Sequence, residues 1–206
     1  MQALMFEVKP KEGHEQHYFD RAAALRPRLE RNDGILFIDR YRSLSRAGIV
    51  LSHSHWRDEA SMTRWRVDEA HHKTQSAGRN VHFDDYRIRI SHVLHFQQGA
   101  EPAKTWTSDG AYKDGSQTTS RYLAIIGTDK RPLDRIGEAF QSVNAEDRFL
   151  TIVEPASERD GRDLIAGIEG RQHHVTSTLL SVVSRDYGMY DRDEAPQYFP
   201  PIGKKL

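Results

Sequence analysis

The stretch DEAHHKTQSAGR concentrates side chains that could do chemistry. His71 and His72 carry the side chain that titrates nearest to neutral pH. Gln75 and Arg79, further along, can hydrogen-bond a ligand. On an unbroken helix, Trp65 and His72 lie two turns apart on one face, while His71 and Gln75 share the neighbouring stripe. The spacing fits one wall of a site, and it also fits an ordinary helix with a core Trp and solvated histidines.

A second group of histidines raises the question of a metal site. His53 and His55 are two residues apart in a predicted strand, so they share a face, and such pairs can bind transition metals. His92 and His95 lie on a later strand but point to opposite faces, so they cannot both join one site. The alternative is that His53 and His55 line a polar face of the sheet, and we predict no metal.

The composition excludes several classes of protein. The 206 residues contain 30 Lys and Arg, 30 Asp and Glu, and no Cys. A net charge of zero argues against a nucleic-acid partner and against a polybasic membrane patch. The absence of Cys excludes disulfides and thiolate chemistry. The sequence shows neither a signal-peptide pattern nor an apolar run long enough to span a bilayer, so we expect a cytoplasmic protein without a membrane partner.

The N-terminal half alternates strand and helix signals. Its predicted elements are ALMFEV (3–8), a helical pattern from His14 to Leu29, ILFIDRYRS (35–43), GIVLSHSHW (48–56), a helical stretch in two segments, and DYRIRISHVLHF (85–96). Asp58 and Asp68 are candidate N-caps of the two segments. Gly34 and Gly78 are predicted to end the helical stretches. The order β-α-β-β-α-β predicts an α+β, ferredoxin-like antiparallel sheet with its helices on one face.

The pattern restarts in the second half. Residues 97–120 are polar and rich in Gly, Ser and Thr, which indicates a linker or a long surface loop that Trp106 and Tyr112 pin to a surface. The predicted elements after it are a strand in RYLAIIGTD, a helix in PLDRIGEAFQSV (132–143), a strand in RFLTIVEP, a helix in RDLIAGIEG and a strand in HHVTSTLLSVVSRDY.

This restart indicates an internal repeat. Gly170-Arg171 echoes Gly78-Arg79, and each pair introduces a final strand. We therefore predict a ferredoxin-like domain over residues 1–98, a linker over residues 99–119, and a degenerate second ferredoxin-like domain over residues 120–206. The second copy is shorter, and we expect it to have lost one central hairpin strand.

Four segments carry a family resemblance. EVKPKEGHEQHYFDRAAALRPRLE, GILFIDRYRSL, LSHSHWRDEASMTRWRVDEAHHKTQSAGR and DYRIRISHV cover almost all of residues 5–93 and resemble the antibiotic biosynthesis monooxygenase family. The tail SRDYGMYDRDEAP (184–196) also resembles the end of such domains. The resemblance implies ferredoxin-like domains that pair into a dimeric α+β barrel. Two fused copies could close that barrel within one chain, and a homodimer could form in addition.

The resemblance also implies a function. Members of the family oxygenate aromatic, polyketide-like molecules with O₂ and without a metal, flavin or haem cofactor. A neutral His would act as the base, and Arg79 or Arg87 would stabilise the oxyanion. His71 is the histidine that matches the family spacing. The predicted catalytic residues are Trp65, His71 and Arg79, and the predicted substrate-binding residues are Phe6, Phe37, Tyr41, His72, Gln75 and Arg87.

Other interpretations stay open. Arg87 and Arg89 could instead pair with Asp39 and Glu7 for structural reasons. The haem-degrading relatives have an Asn in the first strand and a wider Trp-to-His spacing, and ALMFEVKP contains no Asn. A non-catalytic protein that binds a small molecule is the alternative from a different functional class.

Two positions of the second half bear on where the pocket lies. Counted back from Gly170-Arg171, Ser157 and Asp163 stand where Trp65 and His71 stand in the first half. The predicted pocket therefore belongs to the first half.

Overall fold

The computed structural model describes residues 1–110, 121–169 and 174–196. Tyr112 and the Gly170-Arg171 junction lie outside these residues. The described strands are β1 (Gln2–Pro10), β2 (Ile35–Ser43), β3 (Val50–Trp56), β4 (Phe83–Gln98), β5 (Lys104–Thr105), β6 (Tyr122–Asp129), β7 (Glu138–Ser142), β8 (Arg148–Val153) and β9 (Val175–Gly188). The described α-helices are α1 (Glu15–Leu29), α2 (Glu59–Arg66), α3 (Glu69–Ala77) and α4 (Glu158–Glu169). None of these helices has the length and apolar character needed to cross a membrane.

Eight of the strands close into a barrel in the order β1-β3-β2-β7-β8-β6-β9-β4, and β4 pairs back with β1. Strand β5 adds only a short edge beside β4. All of these pairings are antiparallel. The predicted α+β, ferredoxin-like barrel is confirmed, and it closes within a single chain.

Two seams join the halves of the barrel. At the short seam, β2 meets β7 from Tyr41↔Ser142 to Ser43↔Phe140. At the long seam, β4 meets β9 from Arg87↔Gly188 to Gln98↔Ser177. The two halves use the same strand order, β4-β1-β3-β2 in the first and β9-β6-β8-β7 in the second.

The predicted helix over residues 132–143 is wrong. The segment forms a turn followed by strand β7, and Phe140 is fully buried. A Cβ atom on Gly137 would lie 2.3 Å from the backbone oxygen of Ile152, so Gly137 permits close approach to β8. Leu133, Ile136 and Phe140 imitate helical spacing, but the sheet contact decides the conformation. The second half therefore keeps four barrel strands and lacks the first helix, and the expected loss of a hairpin strand is also wrong.

Gly34 has a different role from the one predicted. Its φ is not positive, so it does not supply a left-handed helix end. A Cβ atom there would lie 2.1 Å from the Cβ atom of Ser61, so the position needs Gly for close packing against α2.

Apolar side chains fill the barrel interior, and the helices cover its outside. The interior cluster includes Met5, Leu51, Phe140 and Leu179. Helix α4 packs Ile165 and Ile168 against the second half. Trp106, which the sequence analysis expected to pin its loop, does pack against the interior cluster.

A buried ionic network also lies inside the barrel. Glu7 and Arg89 are 5% and 4% exposed, and their side chains meet at 2.5 Å. Glu7 was one of the two candidate partners that the sequence offered for Arg87 and Arg89. Arg89 also contacts Glu154 at 2.7 Å. Arg46 bonds both Glu7 and Glu138. Because Glu138 and Glu154 belong to the second half, the network ties the two halves together.

The other predicted pairing is not formed. Arg87 bonds Asp186 on β9 at 2.6 Å, while Asp39 accepts hydrogen bonds from Ser142 and Asn144. Each of these contacts crosses a seam between the halves.

We expect Glu7→Gln to lower the free energy of unfolding by about 3–5 kcal/mol at pH 7, because Arg89 would be left buried without its closest counter-charge. Burial alone would raise the pKa of the Glu7 carboxyl, but the charges and hydrogen bonds of Arg89 and Arg46 hold it below its ordinary value. The carboxylate therefore contributes stability above the unfolded-state pKa, and this contribution is lost as the pH falls through the folded-state value.

Chemical denaturation at several pH values would measure both effects. Glu15→Gln is the matched control, because Glu15 pairs with Arg42 at the surface and should lose less than about 1 kcal/mol. Equal losses in the two variants would contradict the role of the network.

Candidate active site

A cavity of about 440 Å³ lies between the sheet of the first half and the helices that cover it. Its size is that of a small-molecule site. Helix α1 and the α3 segment run in opposite directions above it, since Arg28 near the end of α1 bonds Asp68 and His14 at the start of α1 meets His82. The predicted residues Phe6, Trp65, His71, Gln75 and Arg79 all line this cavity.

Trp65 and His71 form a stacked pair in the cavity wall. Their ring centroids are 4.3 Å apart and the planes differ by 16°. The stack exists because the helix is interrupted at Val67, after which Asp68 caps α3 by accepting a hydrogen bond from the backbone N–H of His71 at 3.0 Å. Trp65 and His72 were predicted to share a face of one unbroken helix. Because the helix is broken, this shared face does not form, and His72 does not line the cavity.

The protonation of His71 follows from its surroundings. Its Nδ1 lies 2.9 Å from the backbone oxygen of Trp65. A carbonyl oxygen can only accept, so Nδ1 carries the hydrogen and Nε2 keeps the lone pair. Burial lowers the pKa of His71 to about 4, against a smaller raising effect of the Trp65 carbonyl. The ring is therefore neutral at pH 7, and it is a hydrogen-bond acceptor through Nε2.

Two guanidinium groups converge on one phenol at the cavity wall. Arg79 donates to the hydroxyl oxygen of Tyr86 at 2.8 Å, and Arg192 donates to the same oxygen at 3.0 Å. Both arginines are buried, at 4% and 8% exposure. Because the two lone pairs of the oxygen are used, the Tyr86 O–H hydrogen is the donor that this group can offer to a ligand.

A π-helical turn and the C-terminal tail bring these arginines together. Helix α3 ends at Gly78 as predicted, and the chain continues as a π-helical turn over Gly78–His82. A Cβ atom on Gly78 would lie 2.4 Å from the Phe83 ring, and the turn places Arg79 in the wall. Arg192 follows β9, where the backbone N–H of Met189 bonds the Tyr86 carbonyl at 3.0 Å. The tail of the second half thus completes a site of the first.

Aromatic rings form the apolar part of the wall. The Phe6 ring lies 6.4 Å from Tyr18, 6.1 Å from Phe83 and 5.9 Å from Tyr86. Trp56 and Tyr187 also line the cavity. Such a wall suits a flat or alicyclic apolar molecule.

Four predicted binding residues lie away from this cavity, and His72 is one of them. Phe37 and Tyr41 occupy the positions of β2 that alternate with the cavity-lining Ile38 and Arg40, so they face the barrel interior. Arg87 pairs with Asp186. Period-two alternation separates two faces, but in a closed barrel both faces are covered, so the sequence pattern does not say which one borders the cavity.

The paired strand histidines also face the interior. His53 and His55 do share a face, with their Nε2 atoms 2.9 Å apart, and both rings contact Phe37. Within the ranges that the structure describes, no three His, Asp or Glu side chains are arranged to hold a metal ion.

Sequence reasoning missed several residues of the wall. Tyr86 and Tyr187 were assigned only to strands, and Arg192 to the tail. Tyr18 and Arg40 were placed in elements but given no role. Tyr86 and Ile88 are two residues apart on β4, so the alternation of the strand already placed Tyr86 on the same face of the sheet as Ile88. Arg192 carried no such signal, because its contact with Tyr86 spans 106 residues of sequence.

Two sequence comparisons relate the chain to known proteins. The sequence profile of the antibiotic biosynthesis monooxygenase family matches residues 1–77. A protein of Pyricularia oryzae named jasmonate monooxygenase ABM is 33% identical over 214 aligned residues, which cover 98% of this chain and 99% of that protein.

Two crystal structures provisionally assigned as monooxygenases also align with the chain, each at 9% identity. The protein from Lactobacillus acidophilus has a TM-score of 0.44 and is covered to 92%, with 88% of this chain aligned. The protein from Fusobacterium nucleatum has a TM-score of 0.42 and is covered to 98%, with 100% of this chain aligned.

The architecture is that of an α+β barrel with a small-molecule cavity beneath its helices. The relative from Pyricularia oryzae aligns with nearly the whole length of both proteins. The chain therefore belongs to the antibiotic biosynthesis monooxygenase family, as its sequence resemblance predicted.

We expect His71 to stay neutral from pH 8 down to pH 5, because its pKa lies at about 4. Histidine ring signals in a heteronuclear NMR titration would measure this. The Trp65→Ala variant exposes the His71 ring to water, so the pKa of His71 should rise toward its ordinary value. A His71 that titrates near pH 6.5 in the wild type would contradict the buried, neutral assignment.

Proposed function

We propose that the chain is a monooxygenase that oxidises a small, largely apolar molecule in this cavity with O₂ and without an added cofactor. The observation that carries the proposal is the neutral, Trp-stacked His71 in the same cavity as the Arg79–Tyr86–Arg192 cluster. Family membership and the name of the Pyricularia oryzae relative support the reaction class.

The stoichiometry of such a reaction needs no external reductant. A substrate with a CH₂ group conjugated to a carbonyl can enolise. The enol hydroxyl then loses its proton, and the resulting enolate anion passes electrons to O₂. One oxygen atom enters the substrate as a C=O group, and the other leaves as water together with the two hydrogens of the CH₂. The substrate supplies all four electrons, so the protein has only to bind the anion and to hold the proton.

His71 and the arginine cluster would divide these tasks. The Nε2 lone pair of His71 would accept the hydrogen bond of the enol or phenol hydroxyl. With a pKa of about 4 the resting ring is a weaker base than the sequence analysis assumed. A substrate anion beside it would stabilise the imidazolium. The Tyr86 O–H, polarised by Arg79 and Arg192, would stabilise the developing oxyanion.

The aromatic and polyketide-like class predicted for the substrate stays part of this proposal. The flat rings of Phe6 and Trp65 suit such molecules. The Pyricularia oryzae relative is named for jasmonate, so jasmonate is a second compound to assay.

The first test is oxygen uptake with anthrones, dihydroquinones and jasmonate. We expect His71→Ala to lower kcat/KM by about 10²–10⁴-fold, the range for loss of an acid–base group. His72→Ala is the matched control, because His72 is the adjacent residue of α3 but lies outside the cavity wall, and it should retain wild-type turnover.

The second test concerns the oxyanion and the oxygen atom. Tyr86→Phe keeps the ring and removes the donor, so kcat should fall by about 10²-fold or more.

With ¹⁸O₂ we expect one labelled oxygen atom per product molecule and no dependence of turnover on added NADPH, flavin or metal. Binding of the panel measured as thermal stabilisation, without turnover, would favour the non-catalytic alternative.

We also propose that the two halves are copies of one unit, over residues 1–98 and 120–206. Their shared strand order and the return of a helix before the last strand support this division. Because the second half takes the place of a partner subunit in closing the barrel, a homodimer is not needed for the fold.

A further inference from the structure

The charges around the cavity are unusual for a chain with no net charge. Among the residues that the structure describes, its wall includes six lysine and arginine side chains and no aspartate or glutamate. The cationic residues are Arg21, Arg40, Arg66, Lys73, Arg79 and Arg192. Formal charges balance over the whole sequence, so the acidic residues that compensate lie elsewhere. A wall of this kind raises the local concentration of anions.

Arg40 differs from the cations that already have a visible role. Arg79 and Arg192 hold the Tyr86 hydroxyl. In contrast, no carboxylate oxygen of the described residues lies within 4 Å of the Arg40 guanidinium. Its Nε atom is buried and has no hydrogen-bond partner in the parts of the chain that the structure describes. A buried guanidinium nitrogen without an acceptor is costly, and a ligand carboxylate would relieve that cost.

Two hydroxyl groups stand beside Arg40. The Tyr18 hydroxyl is buried and interacts with both Arg40 and Ser52, and Ser52 is the register partner of Arg40 on β3. Burial raises the pKa of Tyr18 against the opposite effect of Arg40, so the phenol stays protonated and can donate a hydrogen bond. One guanidinium and two hydroxyls at the same wall form a donor set that suits the two oxygens of a carboxylate.

Arg40 lies at the opposite side of the cavity from the Tyr86 cluster. It is on β2, whereas Tyr86 is on β4, and β3 and β1 lie between them. Three strand spacings separate the two backbones, which is roughly 14 Å along the sheet. The row of the sheet that starts at Arg40 passes Ser52 on β3 and then becomes apolar, with Phe6 on β1 and Ile88 on β4.

We infer that the substrate of this cavity is a carboxylate and that Arg40, with Tyr18 and Ser52, binds its anionic end. The reacting part of the molecule then lies toward Tyr86, across the apolar wall. This inference rests on the proposed function only in taking the cavity as the substrate site. It assigns to Arg40 a role in specificity, through contact with a part of the substrate that does not react.

The test compares free acids with their methyl esters, which keep the shape of the acid and remove its charge. Jasmonate with methyl jasmonate, and 2-naphthoate with methyl 2-naphthoate, would be titrated into the full chain by calorimetry at pH 7 without O₂. We expect each acid to bind about 10- to 100-fold more tightly than its ester. Arg40→Met should abolish this difference, and Arg40→Lys should restore part of it.

Arg42→Met is the matched control. Arg42 lies two residues along the same strand, pairs with Glu15 at the surface and is not part of the cavity wall, so this variant should keep the wild-type preference. The thermal unfolding of each free variant would show whether Arg40→Met is folded, and Arg40→Lys provides the comparison if it is not.

Three results would overturn the inference. The first is that acid and ester bind the wild type with equal affinity. The second is that Arg40→Met lowers the affinity for acid and ester by the same factor. The third is that neither acid nor ester of either pair binds. Tight and Arg40-dependent binding of the acids supports the carboxylate site even if no compound of the oxygen-uptake panel is turned over, and that second result would count against the proposed monooxygenase reaction alone.

Discussion

The long seam between β4 and β9 is the constraint on which both the barrel and its cavity depend. Along it the second half occupies the edge that the first half would otherwise leave unpaired. The same seam carries the chain beyond β9 to the carbonyl of Tyr86 and brings Arg192 to the Tyr86 hydroxyl. A pairing of backbones thus also determines the electrostatics of the cavity, because one of the two guanidinium groups arrives only through it.

The barrel places its charges in two separate environments. Inside, Glu7 and Arg89 neutralise each other in a network that crosses between the halves. On the outer face of the same sheet, the cavity wall is cationic and aromatic, and the part of it that the structure describes includes no carboxylate. Neighbouring residues of one strand therefore have different roles, and Asp39 and Arg40 are an example. Asp39 is satisfied by Ser142 and Asn144 across the short seam, while Arg40 faces the cavity.

Local signals predicted the parts of the fold that local interactions determine. Asp58 and Asp68 cap α2 and α3 as expected, because each carboxylate accepts a backbone N–H only three residues ahead. Glu7 was a candidate partner for the arginines of β4, and it pairs with Arg89. The helix predicted over residues 132–143 is wrong. The prediction used only the spacing of apolar residues along the chain, whereas the strand is determined by the contact of Gly137 with β8, which lies later in the sequence. Both His71 and His72 were predicted to belong to the site, and only His71 lies in the cavity wall. The two helical segments were predicted, but the stacking of His71 on Trp65 that their break allows was not.

By itself the sequence determined the type and order of the elements in the first half and the family. These follow from hydrophobic periodicity and capping, which act within a few residues. Only the tertiary structure decided which face of the sheet borders the cavity, and so why Phe6 and Arg40 line it while Phe37 and Tyr41 do not. The same holds for Arg192. Barrel closure joins residues about a hundred positions apart, and no local pattern of residue types encodes where such partners meet.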